Sequence, residues 1–172
     1  MVKKGSLLFG SKTVFNNPSV GKLKLAETSE EVKKFIRAQK GAYQLIIGSD
    51  SHYHSAPDKK GLELVTAIVI HRLGRGGRYF WTKIKIPRYF SLKEKIYQET
   101  LASLEMADQF LPLLKEYLNG EYELLEIHID AGGRGPTKTI IKELIGMVVG
   151  NGFTAKVKPE AYGASSVADR HT

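Results

Sequence analysis

The feature that most constrains this chain is the order of its apolar segments: three strand-like stretches come first, and the pattern then alternates helix, strand, helix, strand. Tyr43 to Asp50 contains the consecutive Leu45, Ile46 and Ile47, so both of its faces are apolar, as in a central strand. Leu62 to His71 reads as a second strand and Tyr79 to Ile86 as a third, linked through Gly74-Arg-Gly-Gly77 by a hairpin connection. Short links of that kind require antiparallel neighbours, whereas the later alternation requires right-handed parallel crossovers. The expected class is α/β, a mixed sheet with helices packed on it.

The helices announce themselves by their caps. Thr28-Ser-Glu-Glu31 has the spacing of a capping box ahead of Val32, Phe35 and Ile36, which predicts a helix to about Gln39. Ser91-Leu-Lys-Glu94 is a second box and opens the longest helix, to about Leu118, with Asn119-Gly120 as its stop. Leu124 to Asp130 reads as a fourth strand. Gly132-Gly-Arg-Gly135 is a tight loop before Pro136, which suits the first turn of a helix carrying Ile140, Ile141, Leu144, Ile145 and Val148. Phe153 to Lys158 is a fifth strand, and Ser165-Ser166 begins a last helix. The first 27 residues, polar and mixed with turn signals at Asn16-Asn17-Pro18 and Gly21, read as a loosely packed lead-in. Residues 28–172 are then one domain.

Charge and cysteine usage narrow the function. Lys and Arg number 26 against 18 Asp and Glu, a formal charge of +8, which favours polyanionic partners, nucleic acid first and acidic membrane surfaces second. An inert basic surface explains the same number equally well. There is no cysteine, which excludes disulfides, thiolate zinc sites, iron–sulfur clusters and a cysteine nucleophile. The apolar run from Val65 to Ile70 is far short of the roughly 20 residues of a membrane span. Leu7-Leu8-Phe9 is too short for a signal-peptide core, so a soluble cytoplasmic protein is expected.

The carboxylates carry the functional argument. Asp50 ends the first of these strands and Asp130 the fourth, and open α/β sheets bind ligands at the carboxyl ends of their strands. One such Asp is an ordinary turn residue; two on matched strands point to a site. On the long helix, Glu99 falls at the border of the apolar stripe, while Glu94 and Glu105 fall in solvent. Glu99 can therefore reach the sheet edge, although pairing with a nearby Lys suits its position as well. Asp169 falls in the first turn of the last helix, where compensation of the helix dipole is the competing reading. Three Asp and one Glu suit Mg²⁺ or Mn²⁺ rather than zinc. Two such ions about 3.5–4 Å apart activate water and stabilise the leaving oxygen in phosphodiester hydrolysis. An acidic, metal-loading centre on a basic protein is the combination a nuclease needs.

Five stretches stand out together: Phe15-Asn-Asn-Pro-Ser-Val-Gly21, Tyr43-Gln-Leu-Ile-Ile-Gly-Ser-Asp-Ser-His52, Lys95-Ile-Tyr-Gln-Glu-Thr-Leu-Ala-Ser-Leu-Glu105, Ile127-His-Ile-Asp130 and, most specifically, Lys158-Pro-Glu-Ala-Tyr-Gly-Ala-Ser-Ser-Val-Ala-Asp-Arg-His-Thr172. In these the chain resembles the bacterial YkuK-like family of predicted RNase H-like nucleases. The resemblance implies a five-stranded mixed sheet in the order 3-2-1-4-5 and two-metal cleavage of nucleic acid: RNA, an RNA–DNA hybrid or structured DNA. It also implies Asp50 as the ligand shared by both ions, with Glu99, Asp130 and Asp169 completing the cage. The family more often has Thr-Asp-Ser-Gln where this chain has Ser49-Asp50-Ser51-His52, so His52 adds a titratable group beside the site.

Other residues are secondary candidates. His52 and His54 share a strand face with Asp50 if that strand continues, and His128 shares one with Asp130. A histidine-rich site shifts the preferred metal toward Mn²⁺ or Zn²⁺. The plainer expectation makes His128 a hydrogen-bonded core histidine and His54 a loop residue. His171 is a candidate proton shuttle. Arg72, Arg75, Arg78, Lys83 and Lys85, together with Lys158, are the candidate nucleic-acid surface, and Tyr89 and Phe90 the candidate stacking platform. The competing functions are a non-catalytic nucleic-acid-binding module on the same fold and, more weakly, a metal phosphoesterase for small substrates.

Overall fold

The computed structural model describes residues 7–56, 59–115, 117–118, 125–132 and 137–171. In chain order the elements are β1 (Val14–Asn17), β2 (Gly21–Lys24), α1 (Leu25–Ala38), β3 (Tyr43–Ala56), β4 (Lys59–Arg72), β5 (Gly76–Ile86), α2 (Leu92–Leu114), β6 (Leu125–Gly132), α3 (Lys138–Gly150), β7 (Thr154–Lys158) and α4 (Gly163–His171). All the strands join one mixed sheet in the order β2-β1-β5-β4-β3-β6-β7. β3, β4 and β5 form an antiparallel meander, while β6 runs parallel to β3 and β7 parallel to β6.

The expected five-stranded sheet in the order 3-2-1-4-5 is thus corrected: the sheet has seven strands and a longer order. The two extra strands come from the stretch read as a loose lead-in. Gly21, at φ +81, closes a turn that L side chains rarely adopt, and β1 and β2 pair across it. This hairpin caps the free edge of β5: Asn16 stands opposite Trp81, and Asn17 Nδ2 donates to the Tyr79 carbonyl at 2.9 Å. Phe9 and Phe15 are fully buried beneath it.

The first helix also begins earlier than its capping signal. The Lys24 N–H donates to the Glu27 carboxylate at 2.6 Å, so Glu27 supplies the cap expected of Glu31. Thr28 and Ser29 instead donate back to the Lys24 and Ala26 carbonyls. The second box forms as read: Ser91 Oγ accepts from the Glu94 N–H at 3.3 Å, and the Ser91 N–H donates to Glu94 at 2.8 Å. α2 ends at Leu114, short of Leu118, with Pro112 in its last turn. The stop at Asn119-Gly120 and the residues 133–136 of the glycine-rich loop lie outside the described residues.

Alternation along the strands divides the core in two. Leu45, Ile47, Leu64, Ile68, Ile70 and Phe80 face α1, α2 and α3 in the main core. Ile46, Val65 and Ala67, with Trp81 beside them, face the other way and are covered by α4 through Ala164 and Ala168. The close seat of α4 depends on Gly48, where a Cβ would stand only 2.9 Å from Ala164 Cβ. Among the described residues no helix is long and apolar enough to cross a membrane.

Candidate active site

The site begins where two parallel strands part. β3 and β6 pair from Leu45 and Leu125 as far as Gly48 and His128. Both strands then continue, β3 to Ala56 and β6 to Gly132, without pairing to each other. Asp50 and Asp130 occupy equivalent positions just beyond the last pair. Asp130 lies inside a bulge, because the β6–β7 register shifts between Ile129 and Gly132. Bulges re-aim side chains at sheet edges, and this one keeps Asp130 out of the regular β7 pairing.

Two helices add to the pair from opposite faces. α4 seats Ala164 on Gly48 and buries Ala168 one turn later, which carries the following residue, Asp169, to the level of Asp50. The negative fields of Asp130 and Asp169 are both felt at Asp50. From α2 comes Glu99, only 4% exposed. It accepts from Ser51 Oγ at 2.6 Å and from Lys95 Nζ at 2.8 Å. Lys95 also stands 3.9 Å from Asp50 Oδ1, so its ammonium lies between the two carboxylates. Beneath them Ser49 Oγ bonds Thr66 Oγ1 at 2.8 Å and Ser103 Oγ at 2.9 Å, and Ser103 donates to the Glu99 carbonyl. These buried hydroxyls fix α2 against β3 and so fix Glu99 against Asp50.

The electrostatics are those of crowded, partly desolvated acids. Burial pushes the Glu99 carboxyl up to about 7; Lys95 and Ser51 oppose the rise, and Asp50 adds to it. Asp50 is raised by burial too, against the pull of Lys95 and a Ser51 backbone hydrogen bond, with Asp130 and Asp169 reinforcing the rise. Lys95 loses some charge stability to burial but is held above its ordinary value by Glu99, Asp50 and Asp130. Lys158, at the end of β7, lies 2.5 Å from Asp130 Oδ1 and is raised by that contact and by the fields of Asp50 and Asp169.

Divalent cations fit this donor set. All four groups offer hard carboxylate oxygens, and burial raises Asp50 and Glu99 despite the pull of Lys95 on both. The carboxylates are nevertheless spread around Lys95 and Lys158 rather than drawn tightly together. Among the described residues, the His/Asp/Glu group whose ligand atoms all lie within 4.8 Å of one another is His52, His54 and Glu63.

The remaining sequence candidates distribute as follows. His54 is not a loop residue: β3 continues to Ala56, so His52 and His54 both follow Asp50 on one strand face. His128 is a buried core histidine bonded to Glu126 at 3.1 Å, and burial lowers its pKa. His171 is stacked on Trp81, with ring centroids 3.7 Å apart, and is likewise lowered by burial and then by Lys83 and Arg170. Glu105 is half-buried rather than in solvent, because it accepts from the Phe9 N–H at 2.9 Å.

The basic tract divides between the two faces. Lys83 and Lys85 share the Asp50 face, exposed, with Lys83 paired to Glu63 at 3.1 Å. Arg78 lies on the opposite face, paired to Glu31 at 3.3 Å over the Phe35 ring, and Arg75 is exposed in the hairpin turn. Arg72 is buried against Tyr43 and Gln39. Two site residues were not singled out from sequence. Lys95 carried a signal in its i, i+4 spacing to Glu99, and Glu63 carried one as the lone acid among Leu62, Leu64 and Val65.

Comparison with known proteins agrees with this architecture. A family model described as Ribonuclease H-like matches residues 27–172. A Bacillus subtilis (strain 168) protein named "Uncharacterized protein YkuK" is 33% identical over 176 residues, covering 92% of this chain and 96% of that protein. No solved structure gives a significant match. With its helices on a mixed sheet and its match along nearly the whole length of that relative, the chain belongs to the ribonuclease H-like family, in its YkuK-like branch.

Proposed function

We propose that this chain is a divalent-metal-dependent nuclease that hydrolyses phosphodiester bonds in RNA, an RNA–DNA hybrid or structured DNA. The single observation that supports this most is the placement of Asp50 and Asp130 at equivalent positions where β3 and β6 part, with Asp169 acting on the same point from α4. In this reading Asp50, Glu99, Asp130 and Asp169 hold two Mg²⁺ or Mn²⁺ ions. Bound there, the ions supply an activated water and neutralise the reacting phosphate.

The chain's own residues do the rest. The Ser49–Ser103–Thr66 hydroxyl set holds Glu99 in register with Asp50, which is the positioning a metal cage needs. Lys158, beside Asp130 and with 57% of its side chain exposed, is placed to donate to a substrate phosphate. Lys83 and Lys85 track the backbone on the Asp50 face. His171, held flat on Trp81 and lowered by burial, is the group assigned to accept or pass on a proton.

One observation favours a second reading. Lys95 and Lys158 already pair the carboxylates, as they do in a purely structural charge cluster. On that reading the chain binds nucleic acid without cutting it. Incubating a labelled RNA–DNA hybrid with Mg²⁺ or Mn²⁺ separates the two. Cleavage by the wild type that is lost in Asp50→Asn supports the nuclease; salt-sensitive binding without cleavage, indifferent to EDTA, supports the binding module.

A further inference from the structure

We infer that His52, His54 and Glu63 form a second metal site, selective for a divalent cation of the zinc class and separate from the carboxylate centre. The proposal does not depend on the nuclease reading. His52 and Glu63 are direct cross-strand partners on β3 and β4, and His54 follows His52 on the same face. Opposite His54 stands Gly61, where a Cβ would meet the Ile86 carbonyl oxygen at 2.5 Å. The His54 ring crosses diagonally to Glu63.

The distances are close to those of a metal's ligand triangle. His54 Nε2 is 3.0 Å from Glu63 Oε2, and His52 Nε2 is 4.0 Å from Glu63 Oε1. Two ligands each about 2.0–2.1 Å from a tetrahedral zinc lie roughly 3.3 Å apart, so rotamer-scale adjustment closes the set. The His52 ring meets the His54 ring edge to face, with centroids 5.2 Å apart, and among the described residues its buried Nδ1 has no hydrogen-bond partner, while Nε2 is beyond hydrogen-bond distance of Glu63.

A cation already sits here. Lys83 Nζ lies 3.1 Å from Glu63 Oε1, on the side facing His52. All three ligand side chains touch solvent, with His52 39%, His54 33% and Glu63 9% exposed, so an ion can enter and keep an open position. Two imidazoles and one carboxylate prefer zinc-class ions over Mg²⁺, whereas the all-oxygen set at Asp50 prefers the reverse. The same strand face therefore presents two metal preferences in succession.

Cobalt titration of the full-length, chelator-stripped protein tests this by visible absorption. The wild type is expected to develop the intense bands of a four-coordinate Co²⁺ ion at one equivalent. Zn²⁺ should quench them and excess Mg²⁺ should not. Glu63→Gln, which keeps the side-chain shape, and His54→Ala should each weaken binding by more than the roughly 10–100-fold typical of losing an outer-shell partner. Lys83→Met should tighten it by removing the competing ammonium. Asp50→Asn should leave the bands unchanged, which keeps this site distinguishable from the carboxylate centre. The absence of four-coordinate bands in the wild type, their survival in Glu63→Gln, or their loss in Asp50→Asn would overturn the assignment.

Discussion

Asp50 and Asp130 stand side by side at the point where β3 and β6 stop pairing, each just past the last bonded residues Gly48 and His128. Parallel strands that part at their carboxyl ends leave a cleft open to ligands. Here the cleft is closed from below by Glu99 of α2 and from the other face by α4.

Gly48 is the contact that brings Asp169 in. Gly48→Ala forces its new methyl against Ala164, so α4 must shift. Overpacking of this kind costs about 1–3 kcal/mol, which chemical denaturation will read as a lower midpoint with unchanged slope. Divalent-cation affinity should fall at the same time, because Asp169 moves with its helix. A variant as stable as the wild type would show that α4 is not seated as described.

Glu99 sets a pH dependence of stability. Its folded pKa of about 7 lies above the unfolded value of 4.5, so the native state binds the proton more tightly. The stabilisation is complete below the unfolded value and is lost as pH rises through the folded one, up to roughly 3 kcal/mol. Without metal, the protein should lose stability mainly between pH 4.5 and about 7, and Glu99→Gln should flatten that slope. Denaturation midpoints measured across the range, with and without EDTA, check this.

Lys158 competes with cations for Asp130. Lys158→Met removes an ammonium 2.5 Å from the carboxylate and should raise apparent Mn²⁺ affinity several-fold while weakening nucleic-acid binding. Calorimetry of the metal and fluorescence anisotropy of an oligonucleotide separate the two effects. An unchanged Mn²⁺ affinity would mean that Asp130 does not receive the ion.

The division of the basic tract predicts unequal salt effects. Lys83→Gln and Lys85→Gln should each lower the slope of log affinity against log salt by about one phosphate contact. Arg78→Gln should leave the slope unchanged, since Arg78 lies on the far face against Glu31.

Much of this architecture was legible in the chain because the apolar pattern is strong where the structure is buried. The double-sided apolar run at Leu45–Ile47 marked the central strand, and the Ser91–Glu94 box marked the start of α2. What escaped notice was set by partners distant in sequence. The β1–β2 hairpin is a strand pair because β5 offers an open edge, and its few polar residues carry no period of their own. Glu27 displaces Glu31 as the cap because the chain enters α1 directly from β2. Asp50, Glu99 and Asp130 could be named from strand ends and helix phase, but the turn given to Asp169 is corrected: α4 begins at Gly163 rather than at Ser165-Ser166, which puts Asp169 in its last turn and not its first. Of the lysines, Lys95 left only its i, i+4 spacing to Glu99 as a signal. Lys158 meets Asp130 only through the β6–β7 bulge.

The central claim is that four acids distant along the chain act together on divalent cations, and isothermal calorimetry with Mn²⁺ tests it most directly. The wild type should show saturable binding of two ions, with Asp50→Asn losing both and Asp130→Asn at least one, while circular dichroism stays native. Heat in the wild type that does not saturate, or full binding in Asp50→Asn, would contradict the account.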